Sequence, residues 1–200
     1  MLIVFAVEEC LDEFMAKRGR VVTPRPERCP ACGHGRVTFA GWRTRQTRQG
    51  VVDIHRVRCA DPGCAKTHSC WPDVLVGRRV DPAATIGAGL EAKAAGLGHR
   101  RIAARLAVAQ GTARGGLRRF ALIAPALTAT LIALAAAADP VLRPPPPGCP
   151  LAVGVAAVGL AAAGMASLTG EPVDRWRLAV AVAGGGLLDR PTRAAPDMGG

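Results

Sequence analysis

The chain has 200 residues, enough for one domain of ordinary size or two small ones. Half of the residues are hydrophobic but only 4% are aromatic, which favours a helical core of small side chains over a large β-sandwich. The formal charge is +11, and all of the excess lies in residues 1–120, which hold 21 Lys and Arg against 10 Asp and Glu. Because most of these cations are arginines, the composition predicts a polyanionic partner, most simply nucleic acid. An arginine-rich genome is the alternative explanation.

Residues 1–28 predict a short strand, a short helix and a linker. Residues 2–7 form an apolar run that fits a buried strand, and residues 8–17 place apolar side chains at helical spacing. Prolines in residues 20–28 indicate a linker. No positively charged region precedes the apolar run and two glutamates follow it, so we expect a cytoplasmic protein without a secretory signal.

Four cysteines in two close pairs dominate residues 29–78. Cys29 and Cys32 have two residues between them, Cys59 and Cys64 have four, and 26 residues separate the pairs. Zinc favours four thiolate ligands in a tetrahedron, with each pair wrapping one edge in a tight turn. We therefore predict a structural Zn²⁺ ion held by these four residues, with no position left open for a substrate. Two unliganded pairs are the alternative, and disulfides are disfavoured in a reducing compartment.

The three remaining cysteines have a different expected role. Cys10, Cys70 and Cys149 are predicted to be small buried hydrophobic residues. His68 and Cys70 also lie close enough to Cys64 in sequence to be alternative metal ligands.

Between the two cysteine pairs, residues 37–58 predict a basic β-hairpin. Valine, isoleucine and aromatic residues alternate there with arginine and threonine, and Gln49-Gly50 is a plausible turn. With the cysteines, this hairpin would form a rigid, positively charged zinc ribbon. Trp71-Pro72 is expected to end the module.

Residues 81–120 predict a helix followed by a helix-turn-helix. Asp81 suits an N-cap and Pro82 a first helical position, for a helix running to Ala95. Residues 99–106 form a short amphipathic helix, and residues 110–120 form a second, basic one after a short break. A pair of core helices with basic solvated faces is the alternative interpretation.

The helix-turn-helix interpretation assigns eight contacts to double-stranded DNA. The second helix would be the recognition helix, because such helices present their outward side chains to the major groove. Its expected groove-facing residues are Gln110, Thr112, Arg114 and Arg118. The expected phosphate contacts come from Arg100, Arg101, Arg105 and Arg119.

The cysteine pairs, the basic ribbon and the run Arg100-Arg-Ile-Ala-Ala-Arg-Leu106 together resemble a known bacterial family. That family consists of uncharacterised zinc-ribbon/helix-turn-helix proteins, and is similar to the N-terminal DNA-binding region of insertion-sequence transposases. The resemblance implies a DNA-binding protein with soluble helices at its C-terminal end. The chain departs from the family at the recognition helix, where Gly115 and Gly116 cost about 1 kcal/mol each relative to alanine. We therefore expect this helix to be marginally stable alone.

Residues 121–200 predict an Ala-rich helical tail. Residues 120–138 and 151–170 are two apolar runs without a charged residue, joined by a Pro-rich connector at residues 140–150. We expect a soluble helical hairpin that packs on itself or on a second copy in a homodimer. A membrane hairpin is the alternative, because the first run reaches the length of a transmembrane helix.

The sequence predicts no enzyme. The acidic residues after the helix-turn-helix lie outside strand-like runs, and no phosphate-binding loop is evident. The expected fold is α+β: a small N-terminal β zinc ribbon, then a mostly helical region with the helix-turn-helix and the tail. The expected function is DNA binding, as a transcription regulator or a transposase-derived remnant. A membrane-anchored or protein-interaction module with a basic zinc ribbon is the alternative.

Overall fold

The structure, a computed structural model, describes residues 2–23 and 25–189 and has an α+β fold. It divides into two compact units. The first comprises Met1–Ile86 with Trp176–Gly186, and the second comprises Gly87–Arg175 together with the described residues 187–189. The N-terminal segment and the cysteine-bearing hairpin thus lie in the same unit.

A four-stranded sheet organises the first unit, in the order β1-β4-β3-β2. Its strands are β1 (Leu2–Phe5), β2 (Val37–Thr47), β3 (Gly50–Cys59) and β4 (Thr67–Pro72). The central hairpin β2–β3 is the predicted one, with its turn at residues 48–49. β4 was not predicted; it pairs antiparallel with β3 and parallel with β1. The sheet therefore joins the N-terminus of the chain directly to the segment after the last cysteine pair.

Helix α1 (Leu11–Ala16) covers part of one sheet face, and its Phe14 is fully buried. The neighbouring core contains Val52, Ile54 and Val57 from β3. The C-terminal helix α6 (Arg175–Val182) also returns to this unit, because Arg177 pairs with the buried Asp73 at 3.0 Å and donates to the carbonyl of Val7. Apolar burial and ion pairs between partly exposed arginines and buried carboxylates thus hold the sheet unit together.

Four helices form the rest of the structure: α2 (Ala83–Ala94), α3 (His99–Arg105), α4 (Gln110–Ala138) and α5 (Pro150–Thr169). α2 confirms a helix in this region, but it begins at Ala83, one residue after the predicted first position Pro82, and it ends in a glycine turn with Gly96 at φ +91°. The prediction of a separate short helix at residues 110–120 is wrong, because α4 continues without interruption for 29 residues. Phe120, Ala124 and Leu131 in the later turns of α4 are fully buried. Their packing stabilises the whole helix, including its first turns, whose helical propensity the glycines lower.

The two apolar helices run parallel to each other, so the predicted hairpin is wrong. A Cβ built on Gly154, early in α5, would meet Ala124 at 3.1 Å and Phe120 at 3.2 Å. A Cβ on Gly164, ten residues further along α5, would meet the carbonyl oxygen of Ala135 at 3.2 Å. Both helices therefore run in the same direction along the chain. Residues 139–149 lead from the end of α4 back to the level at which α5 begins.

Glycine allows this close approach of the two helices. At Gly154 and Gly164 the backbones come so near that a side chain would need its neighbours to shift. By length and composition, α4 and α5 are both apolar enough to cross a membrane, and 33% and 39% of their most apolar windows are buried. Core helices of soluble proteins can have the same length and composition.

Candidate metal centre and basic helical face

The four predicted ligands converge at one point of the first unit. The Sγ atoms of Cys29, Cys32, Cys59 and Cys64 all lie within 4.8 Å of one another. Two of the separations, Cys29 to Cys64 and Cys32 to Cys59, are 3.8 Å. A disulfide requires about 2.05 Å, so these sulfurs are not bonded to each other.

These distances fit a metal ion with tetrahedral coordination. Four sulfurs placed about 2.3 Å from a central zinc form a tetrahedron with edges of about 3.8 Å. The sulfur of Cys29 lies at this distance from that of Cys64, and the sulfur of Cys32 lies at the same distance from that of Cys59. Cys29 and Cys59 are buried and the other two are partly buried, so the cluster is closed on one side by the protein. The site is thus compatible with an S4 metal ion.

The first pair of cysteines sits on a tight turn built by backbone hydrogen bonds. The N–H of Gly33 donates to the carbonyl of Cys29 at 2.8 Å, and the N–H of Cys29 donates to the carbonyl of Gly35 at 2.8 Å. The N–H groups of Ala31 and Gly35 are 3.4 and 3.5 Å from the sulfurs of Cys29 and Cys32. Such N–H···S bonds stabilise thiolates over thiols.

The second pair closes its longer loop with an aspartate. The carboxylate of Asp61 accepts the N–H of Gly63 at 2.8 Å, and its carbonyl accepts the N–H of Ala65 at 2.8 Å. This turn brings Cys64 back beside Cys59 even though four residues separate them. The unusual spacing is therefore accommodated by local turn chemistry.

The thiols of the cluster differ in acidity. Hydrogen bonds from the backbone N–H groups of Gly35 and His34 lower the pKa of Cys32 to about 6. Burial raises the pKa of Cys59 to about 12. A cation at the centre would favour the thiolate form of all four residues.

The predicted alternative ligands lie outside the cluster. His68 is buried, and its Nε2 lies 3.2 Å from the sulfur of Cys29, where it can donate a hydrogen bond to a ligand rather than replace one. Cys70 is buried as predicted, and burial raises its pKa. Cys10 and Cys149 are exposed, each at the N-cap of a helix, so the prediction that they are buried is wrong.

A second candidate site is the basic surface of α3 and the first turns of α4. Ile102 and Ala103 of α3 are buried, and the side chain of Leu106 approaches Gly89 of α2. Residues 106–109 connect the two helices, with Ala107 at φ +51°. The structure places all eight predicted DNA contacts on exposed positions: Arg100, Arg101, Arg105, Gln110, Thr112, Arg114, Arg118 and Arg119.

Comparison with known proteins identifies a domain in this region. Residues 29–102 match a domain of unknown function, DUF6431. The match begins at the first cysteine of the cluster and ends within α3. It does not link the chain to transposases or to helix-turn-helix proteins. No curated protein and no solved structure matches the chain.

Proposed function

We propose that this protein is a non-catalytic DNA-binding protein in which a structural zinc ion stabilises the sheet unit. It would act in the cytoplasm as a transcription regulator or as a remnant of a transposase. The observation that carries the proposal is the exposed basic surface formed by α3 and the first turns of α4.

Zinc is the metal that best fits the cysteine cluster. Tetrahedral sulfur sites hold zinc or iron. The 3.8 Å separations between sulfurs are those expected for a tetrahedron with Zn–S bonds of about 2.3 Å. With four thiolates around the ion, no coordination position remains for water or substrate, so the role would be structural. The ion would connect β3 to the turn that precedes β2.

The spacing of the exposed residues favours contacts with a duplex. Gln110, Arg114 and Arg118 follow one another at intervals of four along α4, so they share one face of the helix. Arg101 and Arg105 share a face of α3 by the same rule. α4 would place its first turns in the major groove while the arginines of α3 contact phosphates.

The N-terminus of α4 adds a further attraction for phosphate. The helix begins after Ala109, whose side chain cannot cap the first N–H groups. These N–H groups and the positive end of the helix dipole suit a phosphate oxygen. α4 therefore combines backbone donors and arginines at one end.

The test uses single-arginine variants and a duplex of random sequence. Arg114→Ala and Arg118→Ala should each weaken binding about 10-fold, because each removes a positive charge and its hydrogen-bond donors from the end of α4 that would face the duplex. Arg143→Ala is the matched control, since it removes an exposed arginine from the connector between α4 and α5. Fluorescence anisotropy measures the affinities. Equal affinities for all three variants would place the interface elsewhere on the protein.

A homodimer formed through α4 and α5 is part of the proposal. About two thirds of the most apolar window of each helix is not buried within the chain. A second copy would cover this surface and would place two basic helices at paired half-sites. Light scattering at micromolar concentration should give twice the mass of the chain, and a monomer would refute this part.

Membrane anchoring is a second candidate, favoured by the same exposed apolar surface. The parallel arrangement of α4 and α5 argues against it, because residues 139–149 would then have to cross the bilayer without regular hydrogen bonding. Carbonate extraction of membranes separates the candidates. Release into the supernatant supports the dimer, and retention in the pellet supports a membrane-anchored module.

A further inference from the structure

We propose that Phe39, Trp42 and His55 form a stacking platform that binds the bases of single-stranded nucleic acid. This site lies on the β2–β3 hairpin and is separate from the duplex-binding surface proposed for α3 and α4. We call these three residues the aromatic platform.

A β-bulge creates the platform. Phe39 pairs with Val57 and Trp42 pairs with His55, so three steps along β2 oppose two steps along β3. The extra residue is accommodated beside Gly41, whose φ is +86°. In a regular strand, residues 39 and 42 would face opposite sides of the sheet. The bulge places both aromatic side chains on one face.

The three rings form a continuous cluster. Their centroids are 5.8 Å apart for Phe39 and Trp42, 5.0 Å for Phe39 and His55, and 5.1 Å for Trp42 and His55. Phe39 remains 51% exposed and Trp42 40% exposed. The other tryptophans, Trp71 and Trp176, are buried. Apolar surface in such a cluster points to a binding role.

The surroundings of the platform are cationic. The guanidinium of Arg20 lies 5.9 Å from the centre of the Trp42 ring, and Arg25 is close enough to act on His55. Burial first, and then the charge of Arg25, lower the pKa of His55, so its ring is neutral near pH 7 and suited to stacking. The buried carboxylate of Asp53 forms ion pairs with Arg20 at 3.0 Å and with Arg18 at 3.8 Å, so two guanidinium groups share one negative charge. The surface around the rings therefore favours an anionic ligand.

Single-stranded nucleic acid combines the two features that this surface selects. Its phosphates suit the arginines, and its unpaired bases offer flat faces to exposed aromatic rings. A duplex keeps its base faces stacked inside the helix, so it cannot use the platform without opening. A cationic ligand would be repelled by the flanking arginines.

The test follows the fluorescence of the full-length protein as a ten-nucleotide strand is added. Binding of thymidine or uridine decamers should quench the emission of Trp42, because a base would stack on its ring. Because Trp42→Ala lacks this reporter, the affinities of the variants are measured by the fluorescence anisotropy of a labelled decamer. Trp42→Ala should weaken binding about 10- to 100-fold, and Phe39→Ala should act in the same direction. Emission from the buried Trp71 and Trp176 reports that the variant is folded.

Two controls separate stacking from simple charge attraction. A decamer of abasic sugar-phosphate has the charge without the bases and should bind about 10-fold more weakly or worse. Val51→Ala removes an exposed apolar side chain from the same hairpin, outside the platform, and should leave affinity unchanged. The ratio of the affinities for the thymidine and uridine strands shows whether the platform prefers single-stranded DNA or single-stranded RNA.

The results also separate this proposal from the duplex interface. Arg114→Ala should bind single strands normally if the platform is the site, whatever happens to its duplex affinity. Equal binding of the abasic strand, or an unchanged affinity in the folded Trp42→Ala variant, would overturn the proposal.

Discussion

Gly35 offers a sharp test of the metal centre, because its position leaves no space for a side chain. A Cβ built at Gly35 would lie 2.3 Å from the sulfur of Cys59 and 3.0 Å from the Cβ of Asp61. Ordinary contacts between such atoms begin at about 3.5 Å, so Cys59 would have to move by roughly 1 Å. Metal–ligand distances tolerate only about 0.2 Å. We predict that Gly35→Ala displaces one of the four ligands.

The size of the effect follows from the energy of the site. Structural zinc sites bind with about 10–16 kcal/mol, so the loss of one thiolate in four removes roughly 3 kcal/mol. This corresponds to about a 100-fold weaker zinc affinity. Competition with a chromogenic chelator measures it directly, and the cobalt-substituted protein should lose the spectrum of a four-sulfur site.

Gly33 provides the matched control in the same turn. Its φ is +74°, but a Cβ there would meet no atom within 4 Å. Gly33→Ala therefore costs only backbone strain, about 1 kcal/mol, and should keep zinc bound. A Gly35→Ala protein that binds zinc as tightly as the wild type would show that the sulfur cluster is not the metal site.

Three further predictions concern stability and reactivity. Gly115→Ala should raise the free energy of unfolding by about 0.5–1 kcal/mol, seen as a higher urea midpoint, because its Cβ would make only an ordinary 3.6 Å contact. Burial opposes ionisation of Asp53, but hydrogen bonds from Thr44 and Arg20 and nearby cations hold its pKa below the usual range. Asp53→Asn should therefore lower the urea midpoint fully above about pH 4, and the difference should shrink as pH falls through the depressed pKa. Among the four cluster cysteines of the metal-free protein at pH 7, iodoacetamide should modify Cys32 first and Cys59 last, since their pKa values are about 6 and about 12; peptide mass spectrometry checks the order.

The cysteine cluster could be predicted because its information is local. Each pair of cysteines is close in sequence, and glycine or Pro-Gly beside it indicates a turn. The structure brings together the four predicted residues. The β2–β3 hairpin was also predictable, since alternating apolar residues flank a short turn.

The features that depend on distant pairing were missed. Leu2 pairs with Ser69, and no local pattern indicates a partner 67 positions away. α4 and α5 consist mostly of small apolar residues, so their sequences favour no single face and leave the relative direction of the helices open. The close approaches at Gly154 and Gly164 show that the two helices run parallel in the folded protein.

The aromatic platform was missed for a different reason. Simple alternation assigns Phe39 and Trp42 to opposite faces, and only the bulge beside Gly41 reverses this. A glycine between two aromatic residues in a strand is the signal that could have indicated it.

The measurement that tests the central claim most directly is duplex binding as a function of salt. Four arginines are assigned to phosphates, so the logarithm of the association constant should fall with the logarithm of salt concentration with a slope of about −3 to −4. A 30-base-pair duplex titrated with wild-type protein at several salt concentrations gives this slope. Measurable binding with such a slope is the predicted result. No binding at low salt, or a slope near zero, would contradict the assignment of α3 and α4 as a DNA-binding surface.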